Sequence, residues 1–368
     1  MSETALSPNV EETRKNLTGV AFAAAQVTAF ALAVKRHNVI PLTPEPDWYP
    51  RFKLDLALAQ READVWMTRL SPMMFSKVPQ SIIDYGNLFD AAISEVRRIL
   101  KAMGERQNPT PDERTALTHI FDALLEELNA QKSTITQVNT ELTEFYGNVS
   151  GFQAAFKSAT QAADKDQTDS RILRQQLQRD IDALHAQASA ASTKTIASVI
   201  GLGVSLLVMV GAIGFALATG GAAVPVIVGV VAFIGVGAGI AGAVVFSKEQ
   251  SAKLAEIQTK MAQLEAKDAM ILALGQVSSA IGNLAERADE ALKGLGTLFN
   301  TWATLEAKLN SVARNVTLAN RAQLQSAISL RSNASKTAWD DLTNYALILQ
   351  RAGEGTKIVE QNDFSQAA

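Results

Sequence analysis

The sequence predicts an all-α chain: an elongated bundle of long antiparallel helices forming a tail, ended by a hydrophobic hairpin head. Three observations predict it. Nine of the ten prolines fall at or before Pro111 and the tenth is Pro225. From Asp112 to Val224 and from Val226 to Ala368, therefore, no residue forces a helix break by removing a backbone donor. Those regions are rich in Ala, Leu, Gln, Glu and Lys, which are good helix formers. Finally, Thr195 to Ser247 runs for 53 residues without Asp, Glu, Lys, Arg or His. On this reading 1–194 and 248–368 together form the tail, and 195–247 the head.

In chain order, the residues up to Ser7-Pro8 are expected to fray. A first helix is predicted from Val10 to His37, with Leu17, Val20, Ala21, Ala24, Val27, Ala31 and Val34 on one stripe. It does not read as a cleaved leader. Glu3, Glu11 and Glu12 spoil the basic region that Arg14 and Lys15 would supply, and Gln26 and Thr28 interrupt the apolar run. An amphipathic core helix fits better, and export would then use another route. Residues 38–50 hold four prolines and are expected to be an extended loop.

Short helices are predicted over Arg51–Arg69 and Pro79–Met103, and a loop over Gly104–Pro111. Thr110-Pro111-Asp112-Glu113 is a helix start. From there to Lys194 the chain can be one helix of about eighty residues, bent at Gly147 or Gly151. Its distal part beats in steps of four and three: Leu173, Leu177, Ile181, Leu184, Ala188, Ala191. After the head the beat resumes at Leu254, Ile257, Met261 and Leu264 and carries on from Ile281 to Val316. Such spacing keeps one seam facing neighbouring helices. A last helix is predicted over Leu324–Arg351, ended by Gly353-Glu354-Gly355.

The net charge of −3 and pI near 5.8 leave no basic footprint, so nucleic acid is not expected as a partner. All 34 Lys and Arg and all 37 Asp and Glu lie outside the apolar stretch. There is no cysteine, which excludes disulfides and thiolate metal sites. His37, His119 and His185 show no paired-ligand spacing and read as surface or seam residues, so no metal is expected. Neither a nucleophile elbow nor a phosphate-binding loop is present, and the carboxylates are scattered over solvated helix faces; no catalytic site or cofactor is expected. Gly237-Ala-Gly239-Ile-Ala-Gly242 matches a dinucleotide fingerprint, but no βαβ unit surrounds it.

The apolar stretch contains two runs, Ile196–Leu217 of 22 residues and Val226–Phe246 of 21. As a helix each would cross the roughly 30 Å hydrocarbon core of a bilayer. The residues expected to insert are Ile196, Val199, Ile200, Leu202, Leu206, Leu207, Val210, Ile213, Phe215 and Leu217 in the first run. In the second they are Val226, Ile227, Val230, Val231, Phe233, Ile234, Ile240, Val244 and Phe246. Gly220, Gly221 and Pro225 form the expected hairpin tip. Gly235, Gly239 and Gly242 are spaced to let two membrane helices approach closely. Lys194, Lys248 and Lys253 would hold their ammonium groups at the headgroups.

Only Thr195, Ser198 and Ser205 offer the first helix a polar side, a poor lining for a water-filled lumen. Another component with an amphipathic segment is therefore expected to line any pore. The bland alternative is a buried core hairpin, against which stand the absence of charge and the double span length. The glycines and the Val/Ile content of VPVIVGVVAFIGV also fit β-strands, so a soluble form could hide this segment as a β-tongue.

Long heptad-bearing helices around a charge-free hairpin, without cysteine or catalytic motif, resemble the cytolysin A (haemolysin E) superfamily of α-helical pore-forming toxins. The chain is most similar in plan to the B component of Gram-negative tripartite toxins, relatives of the haemolysin BL and non-haemolytic enterotoxin systems. The resemblance implies a secreted soluble monomer whose sequestered head extends into two transmembrane helices. It also implies a ring of copies in the target-cell lipid membrane and partner components of the same system. Cytolysin A itself has a shorter apolar tongue, so its single-component mechanism does not transfer. Two other classes stay open: a type III secretion translocator, which needs a chaperone, and a non-lytic membrane-anchored scaffold.

Overall fold

The helix formers and the apolar stretch part company in the computed structural model: the body is α-helical and the described part of the stretch is a sheet. The structure describes residues 6–165, 170–184, 206–217, 223–234, 248–261, 263–316, 321–354 and 357–360. Helix α1 spans Val10–Arg36, α2 Tyr49–Val65, α3 Val78–Ala102 and α4 Pro111–Ala163. Helix α5 covers 171–184, α6 Lys248–Met261, α7 Ala266–Val316 and α8 Arg321–Glu354. Strands β1 (Leu206–Leu217), β2 (Ala223–Ile234) and β3 (Lys357–Glu360) form one sheet in the order β1-β2-β3.

Local chemistry sets most boundaries. Thr110 and Glu113 form a reciprocal cap: the Thr110 N–H donates to Glu113 Oε2 at 2.8 Å, and the Glu113 N–H donates to Thr110 Oγ1 at 3.2 Å. The Arg106 guanidinium on Glu113, and then this backbone donor, hold the Glu113 carboxyl down at about 2.

The break expected between Arg69 and Pro79 is absent, although Pro72 lies within it. The run from α2 to α3 continues through two π-helical turns, Trp66–Leu70 and Met73–Lys77. In the first, the Ser71 N–H reaches back five residues to the Trp66 carbonyl, and the wider turn leaves room for the proline ring that follows.

The expected eighty-residue helix is two. α4 runs unbroken through Gly147 and Gly151 but stops at Ala163, with a turn at Asp164 and Lys165. Residues 164–171 (DKDQTDSR) include no apolar side chain to bury, and Asp, Ser and Thr compete with the helix for backbone groups. After the head, the heptad beat is likewise interrupted at 263–265, between α6 and α7.

The helices build two units. The first comprises Met1–Ala21, Met73–Thr140 and Leu292–Arg351. Its core is an aromatic cluster in which Tyr85 meets Trp302 edge-on at 5.3 Å, and Trp302 stacks on Trp339 at 5.8 Å. Trp339 Nε1 donates to the Leu6 carbonyl at 3.0 Å, tying down a segment the sequence suggested would fray. Gly86 allows α3 to meet α8: a Cβ there would stand 2.2 Å from Thr343 Oγ1.

The second unit comprises Phe22–Pro72, Glu141–Ala291 and Ala352–Ala368. Trp66 packs on Phe145 at 5.2 Å and donates its Nε1–H to Thr28 Oγ1 at 2.9 Å. Phe52 meets Phe156 edge-on at 5.8 Å. Among the described residues α1 is the helix long and apolar enough to cross a membrane, yet 89% of its apolar window is buried. It is a core helix, and Thr28, which interrupts its apolar run, is the acceptor for Trp66.

Of the two expected settings, surface or seam, His37 takes the seam: it is buried at the end of α1 beside α7. Its Nδ1 lies 2.8 Å from the Ala33 carbonyl, and the Ala273 carbonyl of α7 is a second neighbour. Burial, outweighing both carbonyls, lowers it from 6.5 to about 4. The fold therefore favours the neutral ring. Its contribution is complete above pH 6.5 and is lost as pH falls towards 4, amounting to about 2 kcal/mol by pH 5. The urea midpoint should fall between pH 8 and pH 5, and by less in His37→Gln. Separately, Gly86→Val should cost about 1–3 kcal/mol by overpacking. Gly147→Ala, where a Cβ meets nothing within 4 Å, should be neutral or stabilising by up to about 1 kcal/mol.

Candidate membrane-inserting head

Twelve residue pairs join β1 to β2 in antiparallel register, from Leu206↔Ile234 at the open end to Leu217↔Ala223. Residues 218–222, which connect them, lie outside the described residues. Neither strand sequence, LLVMVGAIGFAL or AVPVIVGVVAFI, contains a polar residue at either parity. A strand alternates its side chains between two faces, so no face of such a hairpin can be a solvated one. Pairing satisfies the backbone groups that each strand turns towards the other.

The structure places Leu206, Leu207, Val210, Ile213, Phe215 and Leu217 in β1, and Val226, Ile227, Val230, Val231, Phe233 and Ile234 in β2. Pro225, expected at the tip, lies inside β2 opposite Phe215. It is only the third residue of the strand, and β3 pairs β2 further along, from Val228 to Val231, so the missing N–H costs that ladder nothing. The remaining predicted residues, Lys194 to Ser205 in the first run and Gly220, Gly221, Gly235, Gly239, Ile240, Gly242, Val244 and Phe246, lie outside the described residues.

Strand β3 was not expected. Its register is Val228↔Glu360, Gly229↔Val359, Val230↔Ile358 and Val231↔Lys357, antiparallel to β2. It follows directly on α8, and the signal was present in the sequence: β-branched Ile358-Val359 after Gly353 and Gly355. The segment after the last helix thus pairs with the centre of the apolar hairpin.

Ion pairs tie α5 to α6, the helices that flank the head in the chain. Asp180 of α5 accepts from Lys260 at 3.1 Å and pairs with Lys253 at 3.2 Å, and Glu256 sits 3.1 Å from Lys253 and 2.6 Å from Lys260. Burial pushes the Asp180 carboxyl up, but the two ammonium groups outweigh it and the net shift is down. Glu256 is held down, by Lys260 first, and both lysines are held up, by Glu256 first. Lys253, expected at a headgroup, is engaged in this network, whereas Lys248 opens α6. Leu177, Ile181 and Leu184 of α5 and Ile257 and Met261 of α6 are buried, as the heptad beat requires.

A buried pair marks the level where α5 and α7 begin. Arg174 Nη1 lies 3.3 Å from Oδ1 of Asp268, which is fully buried in the first turn of α7. The Asp164 carboxylate stands 3.6 Å from Arg174 Nη2. Among the described residues no group of three His, Asp or Glu side chains could hold a metal ion.

No protein-family model matches the sequence, and no curated protein matches it. Solved structures do. The chain is similar to the HblL1 toxin component of Bacillus cereus at a TM-score of 0.68 and 17% identity, over 95% of this chain and 98% of that one. Motility associated killing factor B of Vibrio cholerae aligns at 0.66 and 15% identity, covering 94% of this chain and 93% of that one. Soluble SmhB of the tripartite α-pore-forming toxin of Serratia marcescens aligns at 0.65 and 16%, over 94% and 93%. At these identities the likeness is one of fold, and it extends over nearly the whole of each chain.

The register is checkable, since the protein has no cysteine of its own. Gly229→Cys with Val359→Cys, opposite each other, should form a disulfide in mild oxidant. Gly229→Cys with Lys357→Cys, two residues out of register, should remain mostly free by thiol counting.

Proposed function

We propose that this chain is a secreted, non-enzymatic subunit of a multi-component pore-forming toxin that acts on the lipid membrane of target cells. Head residues 195–247 leave the soluble body, become two transmembrane helices and bring copies of the chain into a ring. The observation that carries this reading is the hairpin itself: a 53-residue charge-free stretch whose paired strands are apolar at every position. A fold shared end to end with SmhB, a component of a tripartite α-pore-forming toxin, supports it.

A water-filled β-barrel pore is the wrong product for this sequence. Barrel strands alternate apolar residues towards lipid with polar residues towards the lumen, and neither β1 nor β2 has a polar parity. Two helices satisfy every backbone group internally within lipid, which an open three-stranded sheet cannot do. The 22- and 21-residue runs are of spanning length.

Insertion then requires three changes on this molecule. The β1–β2 ladder must open, β3 must leave β2, and α5 and α6 must carry the head away from the body. Gly220 and Gly221 would cross the membrane at the tip, with Pro225 near the start of the second span. Gly235, Gly239 and Gly242 would let the helices approach. Lys194 and Lys248 would stay at the near headgroups, and Lys253 would join them once its carboxylate partners were given up. Thr195, Ser198 and Ser205 are too few to wet a lumen, so partner components of the same toxin line it.

Dye release from liposomes by the purified protein, alone and with candidate partner components, tests this. Release with partners only is expected; release by the protein alone would reject the need for partners. Val210→Asp or Val231→Asp should cost about 2.5–3.5 kcal/mol of insertion each and abolish release. Undiminished release by either variant would reject the two-helix head. Stable membrane embedding without release under any combination would make the chain a membrane scaffold.

A further inference from the structure

The second unit contains a half-open cleft of about 720 Å³, separate from the hairpin, between the end of α4, one face of α5 and the start of α7. This is within the range of small-molecule sites, roughly 300–1,000 Å³. We propose that it binds the anionic phosphate headgroup of a membrane phospholipid. The site deepens the membrane-acting reading above and rests on it.

Charge and shape carry the assignment. Arg171, Gln175, Gln178 and Arg179 of α5 line the cleft with donors, within about a quarter-turn of one another around the helix. Arg174 is not one of the available donors: it is paired with Asp268 and with Asp164, whose carboxylate also lines the cleft and is the one negative group there that Arg174 offsets. Arg171 and Arg179 are exposed and form no ion pair among the described residues; Arg179 bonds only to the Gln175 carbonyl of its own helix, at 3.3 Å. Eight residues apart, they stand about 12 Å apart along the axis. From there two long side chains can converge on one phosphate between them, with the glutamine amides filling its remaining acceptors.

The floor is of the opposite character. Ile271 and Leu272 of α7 lie under the cleft, and Gly275 exposes bare backbone to it. Ile271 and Leu272 are only 3% and 2% exposed, so the floor is a narrow apolar contact, which the glycerol and first methylene of a lipid could cover and a soluble phosphate could not. Ile172, which follows Arg171 in the chain without lining the cleft, is 81% exposed, an apolar side chain free to meet acyl chains. In the chain, the apolar stretch opens sixteen residues after Arg179.

Flotation with vesicles of phosphatidylcholine, with and without phosphatidylglycerol, tests the site. The protein should partition about tenfold or more in favour of the anionic vesicles, from two cations at the surface. Arg171→Gln with Arg179→Gln should lose that increment and keep the binding to neutral vesicles. Gly275→Leu should do the same with every charge in place, because it projects an apolar side chain into the cleft from a position where the added Cβ meets only Gln178 Oε1, at 3.3 Å. Circular dichroism should show both variants folded.

Dihexanoyl phosphatidylglycerol, titrated as a monomer in calorimetry, should bind the protein and neither variant. Equal partition to both vesicle types, retention of the increment by Gly275→Leu, or inorganic phosphate binding as tightly as the short-chain lipid would each overturn the proposal. Monomeric lipid bound in the cleft by a protein that releases dye from no vesicle even with partner components added would retain the site and reject the pore.

Discussion

Everything in this molecule is arranged around 53 residues that carry no charge and cannot be left in water. Such a segment needs its backbone groups paired and its apolar surface covered, and the two demands can be met in more than one way. As helices, the runs would pair their own backbones but present apolar surface all round. As strands, β1 and β2 pair with each other over twelve positions, and β3 adds a third strand over the middle of β2. The β-branched residues and glycines that weaken a helix in water are at home in this ladder. In lipid the balance reverses, because an open sheet leaves edge groups unpaired and a helix leaves none. One sequence thus suits two solvents.

The body supplies the restraint. α5 and α6 leave for the head and return from it, and they are held together by Asp180, Lys253, Glu256 and Lys260 over a seam of Leu177, Ile181, Ile257 and Met261. Exposed or half-exposed pairs of this kind are worth little each. They register the two helices against each other rather than against the body. The buried Arg174–Asp268 pair is different in kind. Removing one partner would leave an uncompensated charge in the interior, at a cost of about 3–5 kcal/mol. It fixes where α5 and α7 begin, and it also occupies one arginine of the cleft, leaving Arg171 and Arg179 for an external anion.

Long periodic segments were the most legible part of the sequence. Proline placement, the Thr110–Glu113 cap and the heptad beat located α1, α3 and α8, the start of α4 and the end of α7 to within a few residues, because these signals act over one or two turns. The α4–α5 break is also written in DKDQTDSR, eight residues with nothing to bury, but the segment holds no proline or glycine, so a reading by helix breakers passes over it. Pro72 misled in the opposite direction: a π turn absorbed it, and the packing of Trp66 on Phe145 and its bond to Thr28 hold that turn in place.

The sequence by itself determined that this chain is helical, that residues 195–247 cannot be solvated, and that its strands would have no polar face. Those are properties of composition and period, readable without partners. Only the tertiary structure decided that the described hairpin is a sheet, that β3 joins it from the far end of the chain, and that α7 restarts at Ala266. Each of these depends on groups distant in sequence, Val230 with Ile358 and Arg174 with Asp268, brought within reach by the fold. Hydrogen bonds and buried charges are satisfied by whatever lies beside them in space, and a period read along the chain does not say what that will be.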